Sequence, residues 1–129
     1  MPNSSRLIAA EPQLFVTDMD TALNFYRDKL GFDLAFTSGE PVFYAQVKRG
    51  GAALNLRHAD RPAFDAAFKA QEGDVLSATI TLDVAKPLYS EFERKGVVFA
   101  QVLRTEPWGA VTFIVADPDG NLICFAASA

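Results

Sequence analysis

Phe15-Val16-Thr17-Asp18-Met19-Asp20-Thr21-Ala22-Leu23-Asn24-Phe25-Tyr26-Arg27-Asp28-Lys29-Leu30-Gly31-Phe32 runs from a strand through a capped helix to a glycine stop and into a second strand. The strand is the end of an extended apolar stretch, residues 7–16, in which Pro12 marks an edge or an irregular start. Asp18 or Asp20 supplies the oxygen that caps the first helical N–H groups. Met19, Ala22 or Leu23, Tyr26 and Leu30 recur at helical spacing and form one apolar face. Gly31 then falls where a helix ends in a left-handed residue. Working outward, strands are predicted over 32–36, 42–48 and 52–57, the last two joined as a hairpin through Arg49-Gly50-Gly51. The order is β-α-β-β-β.

The rest of the chain repeats it. Asp60 and Pro62 open a predicted short helix carrying Phe64, Ala67 and Phe68 and closing near Gly73. A strand over 75–82 leads to Asp83, read as the cap of a helix with Pro87 in its first turn, apolar Val84, Leu88 and Phe92, and Gly96 at its end. Strands follow over 97–103, 110–116 and 121–127, the last pair joined by the turn Asp117-Pro118-Asp119-Gly120. The helix-ending glycines Gly31 and Gly96 and the hairpin glycines Gly51 and Gly120 are nearly equally spaced, as are Val16 with Leu82, Leu54 with Ile123 and Leu56 with Phe125. One domain over 1–129 is therefore expected, with a first module over 7–58, a linker helix within 59–74 and a second module over 75–129. The halves should be related by a pseudo-twofold, with a cleft between their sheets.

Composition narrows the chemistry. The chain has 129 residues, half of them hydrophobic, with 11 Phe, 22% charged residues and a net charge of −4, so it carries enough apolar surface to fold. One Cys and one His exclude an internal disulfide, a Cys₄ or Cys₂His₂ zinc site and any centre needing two imidazoles. Net acidity, with no basic cluster longer than Lys48-Arg49, argues against nucleic acid. No apolar run approaches the about 20 residues of a membrane span, and residues 1–10 lack the apolar core of a secretory signal. A cytoplasmic protein without membrane or nucleic-acid partners is expected.

The chain resembles the vicinal oxygen chelate superfamily, also called the glyoxalase/bleomycin-resistance/dioxygenase group, from about Gln13 to Phe125. The resemblance is carried by Phe15-Val16-Thr17-Asp18, Ala22-Leu23-Asn24-Phe25-Tyr26, Leu30-Gly31-Phe32, then Tyr89, Phe92, Gly96, Pro107-Trp108-Gly109 and Asp117-Pro118-Asp119-Gly120-Asn121. It implies an α+β fold, two paired βαβββ modules forming a curled mixed sheet around a cavity, and it leaves the reaction open. Metal-dependent members place four ligands, mostly His and Glu, on the first and last strand of each module. The matching positions here fall on Glu11, Asn55, Ser77 and Cys124, with Glu11 and Ser77 uncertain by one or two residues. A carboxylate, an amide, a hydroxyl and a thiol make a poor divalent-metal set, so neither a metal nor any other cofactor is expected.

The expected ligand cavity comprises Glu11, Asn55, Arg57, Ser77, Trp108, Phe113 and Cys124, and each has a bland reading beside the functional one. Glu11 reads as a general base or as a solvated residue before Pro12. Cys124 reads as a nucleophile or as a small buried apolar residue. Asn55 and Ser77 bind a ligand or satisfy each other, and Arg57 anchors an anion or is solvated at a strand end. Trp108 stacks on a ligand or packs on a partner subunit. Phe36, Phe43, Tyr44 and Phe113 divide between core and cavity, because one bulge reverses the parity of a strand, and His58 reads as a surface residue. The expected function is a metal-free binder or sequesterer of a small aromatic or cationic molecule, resembling bleomycin-resistance proteins and forming a homodimer that covers its edge strands. The alternatives are a metal-dependent lyase, isomerase or dioxygenase of the same superfamily, a metal-independent enzyme using Glu11 or Cys124, and a module serving in regulation or assembly.

Overall fold

The computed structural model describes residues 4–63 and 65–128. Its strands are β1 (Gln13–Val16), β2 (Asp33–Ser38), β3 (Tyr44–Arg49), β4 (Ala52–His58), β5 (Leu76–Leu82), β6 (Phe99–Thr105), β7 (Val111–Ala116) and β8 (Leu122–Ala127). Helix α1 (Met19–Asn24) runs into a wider π-helical turn, Phe25–Lys29; α2 (Ala66–Glu72) lies between the halves, and α3 (Ala85–Arg94) follows β5. The strands form two four-stranded mixed sheets, ordered β1-β4-β3-β2 and β5-β8-β7-β6. Each half thus uses the same order, with a parallel pair at one edge, β1 with β4 and β5 with β8. The two sheets do not close on each other, and together they are the paired βαβββ arrangement that the resemblance implies.

Local chemistry accounts for the boundaries. The Asp18 carboxylate accepts from the Thr21 backbone N–H and caps α1, and Gly31 and Gly96 take the positive φ that ends the helical segments. Met19, Ala22, Leu23, Tyr26 and Leu30 are all buried. Other starts differ from the sequence reading. Asp65, not Asp60, caps α2 by accepting from the Phe68 N–H, while Asp60 sits 3.2 Å from the His58 ring. Phe64, assigned to this helix, lies outside the described residues. Asp83 accepts only from the adjacent Val84 N–H, so Val84 is the N-cap residue of α3 without a side-chain cap. β1 begins only at Gln13, because residues 7–12 have no strand beside them until Asn55 N–H meets the Pro12 carbonyl.

Both sheets turn their helix-bearing faces into one continuous core. Leu14, Val16, Ala45, Val47, Leu54 and Leu56 come from the first sheet, and Ala78, Phe113, Val115, Ile123 and Phe125 from the second. Tyr26 from the π-helical turn and Phe92 from α3 are wholly buried between them. Phe113 stacks on Phe125 with ring centroids 5.1 Å apart, and Phe92 meets both edge-on at 6.0 and 5.4 Å. Such pairs add to the area they bury. Polar groups then fix how the halves meet. Asp117 Oδ2 accepts from Tyr26 OH at 2.8 Å and Asn121 Nδ2 at 2.9 Å, and its Oδ1 accepts from the Asp119 and Asn121 backbone N–H groups at 2.9 and 2.8 Å. Asn121 Nδ2 also reaches the Phe15 carbonyl, and Asp119 Oδ1 takes the Thr17 N–H and hydroxyl.

Two outcomes follow from this packing. Phe92→Ala should cost about 3–5 kcal/mol, as for other aromatic truncations in close-packed cores, read by urea unfolding. Tyr26→Phe should cost about 2 kcal/mol near neutral pH, the range for a hydrogen bond to a charged group. Burial raises the Asp117 pKa, and the Tyr26 hydroxyl is among the contacts holding it down, so the variant raises it further. Stability carried by a group with a raised pKa is present below its unfolded value and lost as pH rises through the folded one. The Tyr26→Phe deficit should therefore grow between about pH 3.5 and about pH 7; equal deficits in unfolding curves at both would contradict an ionised Asp117.

Candidate functional site

Strand register, more than spacing, decides which side chains share a face. On the face of the first sheet turned away from the helices, one row holds Phe15, Arg57 and Tyr44, and the next holds Gln13, Asn55, Gln46 and Phe36. On the corresponding face of the second sheet, Thr79, Cys124, Ile114 and Gln101 form a row, beside Thr81, Ala126, Thr112 and Arg104. The positions equivalent by strand and register are thus Gln13, Asn55, Thr79 and Cys124. Glu11 and Ser77 were each expected two residues too early. β1 first pairs at Gln13, and a bulge between Leu76 and Ala78 shifts Ser77 out of register. Ser77 instead donates to Asn121 Oδ1 at 3.2 Å.

Glu11 nonetheless stays near the first row. Gln46 Nε2 donates to Glu11 Oε1 at 3.1 Å and to Asn55 Oδ1 at 2.9 Å, linking the three side chains. Above them the Arg57 guanidinium lies 5.4 Å from the Phe15 ring centre and 4.8 Å from that of Phe43, close enough for cation–π attraction. Phe36 and Tyr44 rings are 6.3 Å apart. A small hollow of about 330 Å³ beside Arg57 is lined by Phe43, His58, Ala59, Asp60 and Arg61.

The second face is built differently. The Glu106 carboxylate accepts from Arg104 Nε at 2.7 Å and from the Thr112 hydroxyl at 2.8 Å, and Gln101 Nε2 donates to the same hydroxyl at 2.9 Å. The Arg104 hydrogen bond, then that of Thr112, holds the Glu106 pKa below the usual carboxylate range. Cys124 packs with Ile114 and Leu122 in a cluster separate from the main core. Burial, then the Glu106 charge, pushes the thiol pKa up, which disfavours the thiolate a nucleophile needs.

Two expected cavity residues lie elsewhere. Phe113 is fully buried in the helix-side core; it pairs with Phe125 in the unbroken β7–β8 register and meets Phe92 of α3 edge-on. Trp108 stands 73% exposed in the loop 106–110. Among the described residues, hydrogen bonds and ring contacts connect side chains within each face, and none joins the two. Of the seven expected residues, Arg57 lines the small hollow and none lines the larger concavity between the modules; the halves pack through the opposite, helix-bearing faces.

The larger concavity, about 970 Å³, lies between the Arg49-Gly50-Gly51 turn, Thr79–Leu82 of β5 and the first half of α3. Leu54, Phe92 and Phe125 reach its floor. At its rim Arg49 Nη1 and Nη2 contact Glu91 Oε2 and Oε1 at 2.7 and 3.0 Å, and Nη1 also meets the Leu30 carbonyl. This pair was missed in the sequence, although an Arg beside two turn glycines is a signal that could have drawn attention. Gln13, Gln46 and Thr79 were missed too; the alternation in Gln13-Leu14-Phe15-Val16 is enough to assign Gln13 and Phe15 to one face.

A divalent metal does not fit the register-equivalent positions. They offer two amides, a hydroxyl and a buried thiol, and among the described residues no group of three or more His, Cys, Asp and Glu could hold a metal ion.

The fold has close counterparts. The bleomycin-binding protein of bleomycin-producing Streptomyces verticillus, solved with copper(II)-bleomycin, superimposes with a TM-score of 0.75 at 25% identity, over 98% of this chain and 100% of that one. A glyoxalase/bleomycin resistance protein/dioxygenase from Alicyclobacillus acidocaldarius gives 0.76 at 24% identity, over 99% and 93%. The bleomycin resistance determinant encoded on transposon Tn5 gives 0.70 at 19%, over 93% and 97%. The last two show the shared fold alone. No match was found among curated proteins. Residues 8–125 match the model of the Glyoxalase/Bleomycin resistance protein/Dioxygenase superfamily, and with that match extending over both βαβββ halves the chain belongs to this superfamily.

Proposed function

We propose that this protein binds a small organic molecule without a metal, on the sheet faces turned away from the helices, and that a homodimer brings the first face of one subunit opposite the second face of the other. The observation that carries the reading is the two register pairs Gln13 with Asn55 and Thr79 with Cys124, at the four strand positions where metal-dependent relatives carry mostly His and Glu. Neutral donors there suit hydrogen bonding to a guest and leave a divalent cation without charge compensation. Exposed aromatic rings beside these donors support the same reading, since concave apolar surface with a few polar groups is how small molecules are held. The bleomycin-binding protein from Streptomyces verticillus provides the family precedent for a bound guest.

Native mass spectrometry of protein purified without chelator tests this directly. A dimer free of stoichiometric metal, with or without a retained organic molecule, is the expected result. One divalent ion per subunit, together with a chelator-sensitive activity, would replace it with the metal-enzyme alternative. The reading with Cys124 as nucleophile is disfavoured by the raised thiol pKa. Folded protein at neutral pH should react with a thiol reagent much more slowly than urea-unfolded protein, and equal rates would return that reading to consideration.

A further inference from the structure

We infer that the first sheet's open face recognises a planar aromatic anion, with Arg57 as its counter-charge and Phe36 and Tyr44 as its stacking surface; this rests on the small-molecule reading above. Three arginines distinguish the cationic groups of the site regions. Arg49 is held by Glu91 and Arg104 by Glu106. Arg57 has no carboxylate partner among the described residues. Its one hydrogen bond there is Nη1 donating to the His58 carbonyl at 3.3 Å. An arginine has five N–H donors in a planar fork, so most of the Arg57 fork remains available.

The fork is also held in place. Phe15 and Phe43 flank the guanidinium at 5.4 and 4.8 Å from their ring centres, which limits its rotamers and lowers the ordering cost of engaging an anion. Arg61 and His58 line the adjacent hollow, and its acidic member, Asp60, is turned toward the His58 ring. The other carboxylate near this face, Glu11, accepts from Gln46 Nε2 at 3.1 Å in the next row, so the charge beside the Arg57 fork is suited to a carboxylate, sulfonate or phosphate, even though the whole chain carries −4. At physiological ionic strength the screening length is about 8 Å, so contact charges outweigh distant ones.

The other half of the ligand is read from the rings. Phe36 is 47% and Phe43 45% exposed, and the Phe36 and Tyr44 rings lie 6.3 Å apart at an interplanar angle of 36°. Tyr44 is directly across the β3–β4 pair from Arg57. A flat ring laid on Phe36 and Tyr44 thus carries its acidic substituent toward the guanidinium, while Gln46 and Asn55 in the next row face its polar edge.

Isothermal titration calorimetry of the full chain with 2-naphthoate, 2-naphthamide and 2-naphthylmethylammonium tests the inference. The expected order is anion over amide over cation. Arg57→Gln should weaken naphthoate at least about tenfold and leave the amide within about twofold, consistent with losing a charged hydrogen bond. Arg57→Lys, which keeps the charge without the fork, should fall between. Arg94→Gln, the same charge change on exposed α3, should bind naphthoate as the parent does. Circular dichroism melts establish that each variant is folded. Tighter binding of the cation, or an unchanged naphthoate affinity in both Arg57 variants, overturns the anion assignment and leaves small-molecule binding intact. Binding of none of the three at about 1 mM overturns both.

Discussion

The Asp117 carboxylate is the constraint on which the arrangement of the two halves depends. It is buried, and four donors saturate its two oxygens: two backbone N–H groups, the Asn121 amide and the Tyr26 hydroxyl. A carboxylate has about four acceptor sites, so removing any donor leaves a desolvated charge short of a partner. Burial and the neighbouring charge of Asp117 keep the Tyr26 phenol protonated as a donor. Three of the donors lie within the turn itself; the fourth comes from the helix of the other half. The same turn reaches β1 through Asn121 to the Phe15 carbonyl and through Asp119 to Thr17. This turn therefore fixes the second sheet against the first helix, and the shared aromatic core fills in around it.

The equivalent turn in the first half is much barer. Arg49-Gly50-Gly51 presents no side chain beyond Arg49, and a Cβ at either glycine would meet nothing within 4 Å. Where one end of the pseudo-twofold is plugged by a hydrogen-bonded turn, the other is an open groove bounded by the Arg49–Glu91 pair. That pair is about one-third exposed on each side, so solvent screens it and its contribution to stability is modest. The asymmetry also separates roles. The groove between the modules has its rim arginine paired with Glu91 and also carries the Asp83 carboxylate, whereas the first sheet's far face carries an arginine without a carboxylate partner among the described residues, beside half-exposed rings.

Element order was legible in the sequence because glycines, prolines and aspartates punctuate it: Gly31, Gly96 and Gly120 all take positive φ where the reading required a stop or a turn. The helix face of Met19, Ala22, Leu23, Tyr26 and Leu30 was likewise readable from its spacing. The site was less legible, for a geometric reason. Side-chain facing alternates every residue along a strand, so one bulge misplaces everything beyond it. Glu11 and Ser77 fall two residues short of Gln13 and Thr79 because the pairing of β1 with β4 and of β5 with β8 is set by tertiary contact and not by spacing; the bulge at Leu76/Ala78 leaves Ser77 out of register, and Phe113 follows the β7–β8 register into the core. The Glu106–Arg104–Thr112 contacts depend on the loop that bends back at Gly109, where the Gly109 N–H donates to the Glu106 carbonyl. No periodic pattern encodes that bend.

Family membership and fold leave chemistry to individual side chains, and here the informative ones sit on one face. A two-dimensional ¹H–¹⁵N NMR titration with 2-naphthoate is the most direct measurement of where a guest is held. Recognition on the first sheet predicts the largest amide shifts at Phe15, Phe36, Tyr44, Gln46, Asn55 and Arg57. Shifts concentrated instead at Arg49, Gly50, Gly51, Val84, Leu88 and Glu91 would put the guest in the groove between the modules and contradict the proposed recognition face.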